Sequence, residues 1–217
     1  MGMIGEAAGS ILRLPEFLRV RTFDDGMVGN SAGQLEAVLN QANHATLKAR
    51  DLVAGRCQSA LTTSLESASW SVAQCLDHLA QTANAFIPAI SSATARAPHL
   101  TTNRALRTGA LTRLFIRNLE PPYRLRFKVL TPLVPLRRDF DSAWSAFETA
   151  QVKLAETIRS AAGLAIDQVK VESPVYARFN YNVYGALRTL TAHERRHLWQ
   201  IEQILKALDS AQVRKAS

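Results

Sequence analysis

The most informative stretch of the chain is residues 185–208, which read GALRTLTAHERRHLWQIEQILKAL. At about 100° per residue, one face of this helix carries Leu190, His193, His197, Ile201, Ile204 and Leu208. Such a face is typical of a helix that packs in the core of a bundle. The two histidines lie in the middle of that face, where burying an unpaired imidazole costs free energy. The stretch therefore predicts a bundle helix with a polar site inside the bundle.

Three other segments show the same helical spacing of apolar residues. The four predicted helices span residues 31–54, 71–92, about 139–163 and about 183–208. The second opens with Ser71 and Gln74, which fit a capping box, and Pro88 is expected to bend or fray its last turns. Either Asp139 or Asp141 can cap the third. These helices predict an all-α fold: an antiparallel four-helix bundle with a long crossover between the second and third bundle helices.

The crossover carries the excess positive charge of the chain. The whole sequence has 26 Lys and Arg against 18 Asp and Glu, a net charge of +8, whereas residues 96–138 hold a single acid, Glu120, among many arginines. A short helix is predicted over residues 102–118, with an inner side formed by Leu106, Leu111, Leu114 and Phe115. We interpret the segment as a solvated, arginine-rich crossover. The functional alternative is a surface for an anionic substrate, a thiol cofactor or a nucleic acid.

Composition excludes several classes of protein. A chain of 217 residues with 47% hydrophobic residues is ordinary globular material, and no stretch reaches the roughly 18 apolar residues of a membrane span. Two cysteines are too few for a disulfide framework. Residues 1–30 lack the helical pattern and a secretory signal, and are interpreted as a loosely attached arm before a bundle domain of residues 31–217. A soluble, cytoplasmic protein without a membrane partner is the expectation.

The two histidines of the last helix predict a metal site. His193 and His197 are four residues apart, so both rings can reach one point, and metal ions commonly use this spacing. His78 in the second helix is the best candidate for a third ligand, because its neighbours Cys75 and Thr82 are small. The alternative is a pair of core histidines whose polar atoms are satisfied by water or a carboxylate.

The pentapeptide HERRH also matches the H-E-x-x-H motif of zinc proteases, which would make Glu194 a general base. No G-x-x-H continuation follows it. Glu202 and Asp209 lie on the same uninterrupted helix, so neither can fold back to supply a third ligand. The protease interpretation is therefore disfavoured.

Three stretches in this order resemble the DinB-like superfamily, the DNA-damage-inducible group of bacterial four-helix proteins. They are WSVAQCLDHL at 70–79, PPYRLRFKVLTPLVP at 121–135, and Tyr184-Gly185 followed by HERRHLWQIEQI at 193–204. The resemblance covers residues 31–209. It implies a divalent metal ion (Zn, Ni or Fe) bound by His78, His193 and His197.

The resemblance also implies a range of functions. Members of the superfamily are described as metal-dependent hydrolases, thiol-dependent S-transferases or isomerases. We expect a hydrolase or a thiol S-transferase that acts on a small, anionic substrate, with a low-molecular-weight thiol as cofactor in the second case. The alternative is a non-catalytic stress-related or ligand-binding bundle that keeps the metal site, and a nucleic-acid-associated protein is the third hypothesis. A homodimer is one arrangement that the resemblance allows.

Other polar residues are candidates for supporting the site. Gln200 lies three residues after His197 and could orient it, while Glu194 is expected at the surface or behind the ligands. Tyr184, at the start of the last helix, is a candidate for the pocket mouth. Asp77 adjoins His78, but neighbours on a helix point about 100° apart, which disfavours direct contact between the two side chains.

Overall fold

The protein was analysed as a computed structural model, which describes residues 29–65, 69–122, 133–136, 139–174 and 180–216. These residues form α1 (Ser31–Val53), α2 (Gln58–Thr62), α3 (Val72–Thr94), α4 (Ala110–Leu119), α5 (Phe140–Ser160), β1 (Lys170–Glu172), β2 (Asn180–Asn182) and α6 (Val183–Ala216). The all-α fold is confirmed. None of the described helices combines the length and the hydropathy that a membrane span requires. Almost all of the predicted N-terminal arm lies outside the described residues.

Polar side chains and glycine set the ends of the bundle helices. The Asn30 side chain accepts a hydrogen bond from the first turn of α1, and Ser71 and Gln74 form the predicted capping box of α3. At α5, Asp139 is the cap, because its carboxylate accepts the backbone N–H of the first turn. Gly163 follows α5 with a φ of 76°, a left-handed conformation that L side chains rarely adopt.

Four helices, α1, α3, α5 and α6, form the bundle around two hydrophobic clusters. At one end the clustered side chains include Leu35, Ile90, Ile158 and Leu187, and at the other end they include Ala49, Val72, Phe147 and Ile201. The order of these residues shows that α1 and α6 run in one direction and α3 and α5 in the other. Helix α3 is therefore antiparallel to α6, and α1 is antiparallel to α5. The predicted bundle and its long crossover are confirmed, and the crossover is what lets α3 and α5 run parallel.

Helix α4 differs from its prediction in both start and orientation. It begins at Ala110, and Leu111 and Leu114, which were predicted to face inward, are 78% and 56% exposed. Instead, Ile116 and Leu119 pack against α6. The prediction was wrong because residues before Ala110 are held by side chains distant in sequence, so the helix starts later and turns another face to its neighbour.

Asp167 holds the chain that precedes α4. Its carboxylate accepts two hydrogen bonds from the Arg104 guanidinium, at 2.7 and 2.8 Å, and one from the Arg107 backbone N–H at 3.1 Å. Leu106, between them, is buried as predicted but lies outside the helix. Burial opposes ionisation of Asp167, but these hydrogen bonds outweigh it and hold its pKa below the ordinary value.

The C-terminal end of α4 is held by Glu120, the single acidic residue of the basic crossover. Glu120 accepts hydrogen bonds from Arg195 of α6, at 3.0 Å from Nε and 2.5 Å from Nη2. The same guanidinium donates to Gln41 of α1 at 2.9 Å. Residues 123–132 and 137–138 of the crossover lie outside the described residues, as do the basic side chains that they contribute.

Several local features depart from the sequence prediction. Helix α3 continues to Thr94, and its turns after Pro88 do not fray, because Ile90 and Ala93 are buried in the core; a bend at Pro88 stays a prediction. Helix α2 and the antiparallel β1–β2 pair were not predicted. Each strand has three residues, too few to show an alternating pattern. Asn182 ends the pair and caps α6 by accepting the Gly185 N–H at 2.8 Å.

Removing the Asp167 carboxylate should weaken the fold in a pH-dependent way. Since its pKa is lower in the folded than in the unfolded state, its contribution is complete above the ordinary Asp pKa of about 4 and is lost as pH falls through the folded-state value. Asp167→Asn should therefore lower the free energy of unfolding at pH 7 by about 1.5–3 kcal/mol. The difference from wild type should shrink in acid. Urea titrations at pH 7 and at a pH below the ordinary Asp pKa measure the difference in the free energy of unfolding. The control is Asp51→Asn, at an exposed site on α1.

The packing at the middle of α5 gives a second prediction. Phe147 is fully buried between the bundle helices, so Phe147→Ala should lower the free energy of unfolding by about 3–5 kcal/mol in denaturant titrations. Val152 lies on the same helix and is 59% exposed, so Val152→Ala should change it by less than about 0.5 kcal/mol. Equal losses in the two variants would contradict the described orientation of α5.

Candidate metal centre

The three predicted histidines converge between α3 and α6. The Nε2 atom of His193 lies 3.2 Å from Nε2 of His78 and 3.1 Å from Nε2 of His197. One ring nitrogen from each residue lies within 4.8 Å of the other two. Two of these rings come from one face of α6, separated by a single turn, and the third comes from the antiparallel neighbour α3.

Hydrogen bonds on the outer side of two rings determine which nitrogen faces the centre. Nδ1 of His78 lies 2.7 Å from the carbonyl oxygen of Leu133, and Nδ1 of His197 lies 3.0 Å from the side-chain oxygen of Gln200. The Leu133 carbonyl can only accept, so Nδ1 of His78 carries the proton and its Nε2 carries a lone pair; the Gln200 amide, oriented with its oxygen toward the ring, favours the same tautomer at His197. Gln200 is thus placed as the sequence suggested, whereas nothing in the sequence pointed to the Leu133 carbonyl.

The donor set fits a divalent metal ion. Unshared lone pairs on neighbouring nitrogens repel one another, so their convergence needs a proton or a cation between them. Nitrogen ligands about 2.1 Å from one cation lie about 3.0 Å apart in octahedral and about 3.4 Å apart in tetrahedral geometry. The separations of 3.1 and 3.2 Å at His193 fall inside this range. Three imidazoles suit Zn, Ni or Fe.

Burial keeps the imidazoles in the form that binds metal. It lowers the pKa of His78 and holds the pKa values of His193 and His197 well below the ordinary value. The Arg196 guanidinium and the His78 imidazole lower the pKa values of His193 and His197 further, and His193 also lowers that of His197. The rings are therefore neutral at physiological pH, which leaves their lone pairs available to a metal ion.

The centre is closed on one side and more open on another. The ring of Trp70 lies 4.7 Å from that of His78 and 5.8 Å from that of His197, between ring centres. Those two histidines are buried, whereas His193 is only half-buried. Trp70 also packs against the hydrophobic cluster that contains Cys75, and nothing in the sequence pointed to its contact with the histidine rings. Among the described residues, His193 is therefore the least enclosed of the three histidines.

Comparison with protein families identifies the chain. A model described as the DinB superfamily matches residues 33–201. The chain belongs to the DinB superfamily. The matched range contains all three histidines of the cluster. No curated protein and no solved structure matches the chain.

Glu194 of this DinB-superfamily protein faces the bundle centre. It is 4% exposed, and its Oε1 accepts a hydrogen bond from Gln151 of α5 at 2.5 Å. Burial raises the pKa of Glu194 to about 7, against the opposing effects of Gln151 and Arg195. A carboxylate directed at α5 is not placed as the general base of a zinc protease, which accounts for the failure of that motif here.

Tyr184 lies away from the histidine cluster. It is buried in the hydrophobic cluster around Leu187 and Leu190, and its ring packs against the Arg188 guanidinium at 5.6 Å. Nine residues of helix, about 14 Å, separate it from His193. The structure therefore places Tyr184 in the core packing of α6 and not beside the three nitrogens.

Three buried polar residues, here called the polar layer, lie between the two hydrophobic clusters, beside the small apolar cluster of Ala80, Ala83 and Ala150. On each of α3, α5 and α6, a buried polar residue lies in sequence between the two hydrophobic clusters: Thr82, Gln151 and Glu194. Thr82 Oγ1, Gln151 Oε1 and Glu194 Oε2 have no hydrogen-bond partner among the described residues. Unsatisfied buried groups cost about 1–3 kcal/mol each. The layer is therefore a feature that stability alone would not favour.

The pair of Gln151 and Glu194 allows this cost to be measured. Gln151→Leu removes the hydrogen-bond donor and leaves the buried carboxyl of Glu194 unpaired, so the free energy of unfolding should fall by about 1–3 kcal/mol. Adding Glu194→Leu should recover most of that loss, because both partners are then apolar. A double-mutant cycle in denaturant measures the coupling. Additive losses would contradict it.

Proposed function

We propose that this protein is a metal-dependent enzyme of the DinB type, a hydrolase or a thiol S-transferase, whose divalent metal ion is bound by His78, His193 and His197. The observation that carries the proposal is the convergence of their Nε2 atoms in a neutral, buried centre that is more exposed at one ligand. Three protein ligands leave coordination positions for water or substrate, as catalytic metal sites do and closed structural sites do not.

The surrounding residues support a reaction at this centre. When bound, such an ion lowers the pKa of a water ligand or activates a thiolate. Leu133 and Gln200 orient two of the histidines, and Trp70 shields their rings from water on one side. These contacts would hold His78 and His197 in place, while the substrate would enter beside His193, the least enclosed of the three.

Charge near the centre favours an anionic substrate. Arg196 is 6% exposed and lies close enough to influence the pKa values of His193 and His197. One of its nitrogens donates to the backbone carbonyl of Asn118 at the end of α4, at 3.3 Å. The Arg196 guanidinium would contribute a positive potential that attracts a small anion or thiolate, against the opposing charge of the Asp77 carboxylate beside His78.

The metal content of the protein tests the ligand set. Protein purified without a nickel column should contain about one divalent ion per chain by elemental analysis. His193→Ala and His78→Ala should remove most of it, because each leaves two imidazoles. His44→Ala, at an exposed position of α1, is the matched control and should keep the wild-type content. Absence of metal from wild type, even after incubation with zinc, nickel and iron salts, would refute the proposal.

An open coordination position can be detected by spectroscopy. In protein loaded with cobalt(II), small thiols or anions should change the visible absorption bands, because they enter the metal's coordination shell from the side of His193. His44→Ala should respond in the same way as wild type. A spectrum that no thiol or anion changes would instead favour the non-catalytic bundle that keeps the metal site.

A further inference from the structure

Residues 133–136 of the crossover, here called the strap, lie against α3 beside the metal centre. The Leu133 carbonyl oxygen accepts a hydrogen bond from Nδ1 of His78 at 2.7 Å, and the Leu136 backbone N–H donates to Oδ2 of Asp77 at 2.6 Å. The two α3 partners are adjacent in sequence. The pair of hydrogen bonds therefore fixes both the distance and the orientation of the strap relative to one turn of α3.

Asp77 is the anchor for this strap. Its side chain is fully buried, and the same Oδ2 atom also accepts a hydrogen bond from Gln81 at 2.7 Å. The Leu136 side chain is 80% exposed, so this residue is tied to α3 through its backbone and not through apolar packing. A buried carboxylate is costly unless it is hydrogen-bonded, and here one of its bonds is made to the strap.

We propose that Asp77 is a positioning residue for the metal centre, acting on His78 through the strap: Asp77 holds Leu136, and the Leu133 carbonyl then fixes the ring of His78. This inference rests on the proposed function in taking His78 as a metal ligand. It also explains how a side chain that points away from its neighbour on the helix can still control it. Hydrogen bonds behind a ligating histidine set its tautomer and orientation, and their loss typically weakens metal binding 10–100-fold.

Release of the strap has a defined consequence at His78. Without the Leu133 carbonyl, Nδ1–H loses its acceptor and the ring is no longer restricted to one tautomer. In the other tautomer the proton is on Nε2, the atom that faces His193 at 3.2 Å, and that nitrogen cannot bind a metal ion. A purely structural role for Asp77 would affect stability but not this choice of tautomer.

The test removes the hydrogen bond between the Leu136 N–H and the Asp77 carboxylate, by changing either the donor or the acceptor. Asp77→Ala removes the acceptor, and Leu136→Pro removes the N–H donor from an exposed strap residue while leaving α3 intact. Both should weaken zinc affinity 10–100-fold in a chelator competition. Asp77→Asn retains an acceptor oxygen and should rescue most of the affinity. The matched controls, Leu136→Ala and Gln81→Ala, keep the bond between Leu136 and residue 77 and should stay within about twofold of wild type.

The second readout is the tautomer of His78 in metal-free protein, from ¹⁵N NMR of the imidazole nitrogens. Wild type and both controls should show a proton on Nδ1, whereas Asp77→Ala and Leu136→Pro should show a mixture of tautomers. Wild-type affinity and wild-type tautomer in those two variants would overturn the inference. If wild type binds no metal, the proposed function fails, and the tautomers still decide whether Asp77 orients His78.

Discussion

One imidazole nitrogen from each of His78, His193 and His197 converges on a common point between α3 and α6, and much of the structure is arranged around that convergence. It requires neutral rings with fixed tautomers. The polar layer of Thr82, Gln151 and Glu194 occupies buried positions where apolar side chains would bury more apolar surface. The two hydrophobic clusters on either side supply the packing that makes such a layer tolerable.

The crossover contributes to the centre as well as to the topology. It joins the ends of the parallel helices α3 and α5, and it is tied down by Asp167 before α4 and by Glu120 after it. Its strap then provides the carbonyl that faces His78. A segment that looks like a basic, proline-rich connection in the sequence therefore includes part of the environment of the histidine cluster.

Much of the fold and of the candidate centre could be predicted from local pattern. Apolar residues at helical spacing located the four bundle helices. Two histidines one turn apart on an apolar face indicated that both rings reach one common point. Prediction was wrong at α4, where Leu111 and Leu114 face solvent, because Asp167 and the surface of α6 determine where that helix starts and which face it buries. The roles of Trp70, Leu133 and Gln151 carried no local signal, since each depends on a partner distant in the chain.

The sequence by itself determined the helix-forming segments, most of their caps and the residue types available as ligands, since propensity, capping and periodicity act within a few residues. Only the tertiary structure decided that His78 meets the pair on α6, that Glu194 turns toward α5, and that a backbone carbonyl lies behind the ring of His78. These contacts join residues 43 to 115 positions apart. Their geometry depends on how whole helices pack, because a shift of about 1 Å between α3 and α6 would move a nitrogen out of coordination range.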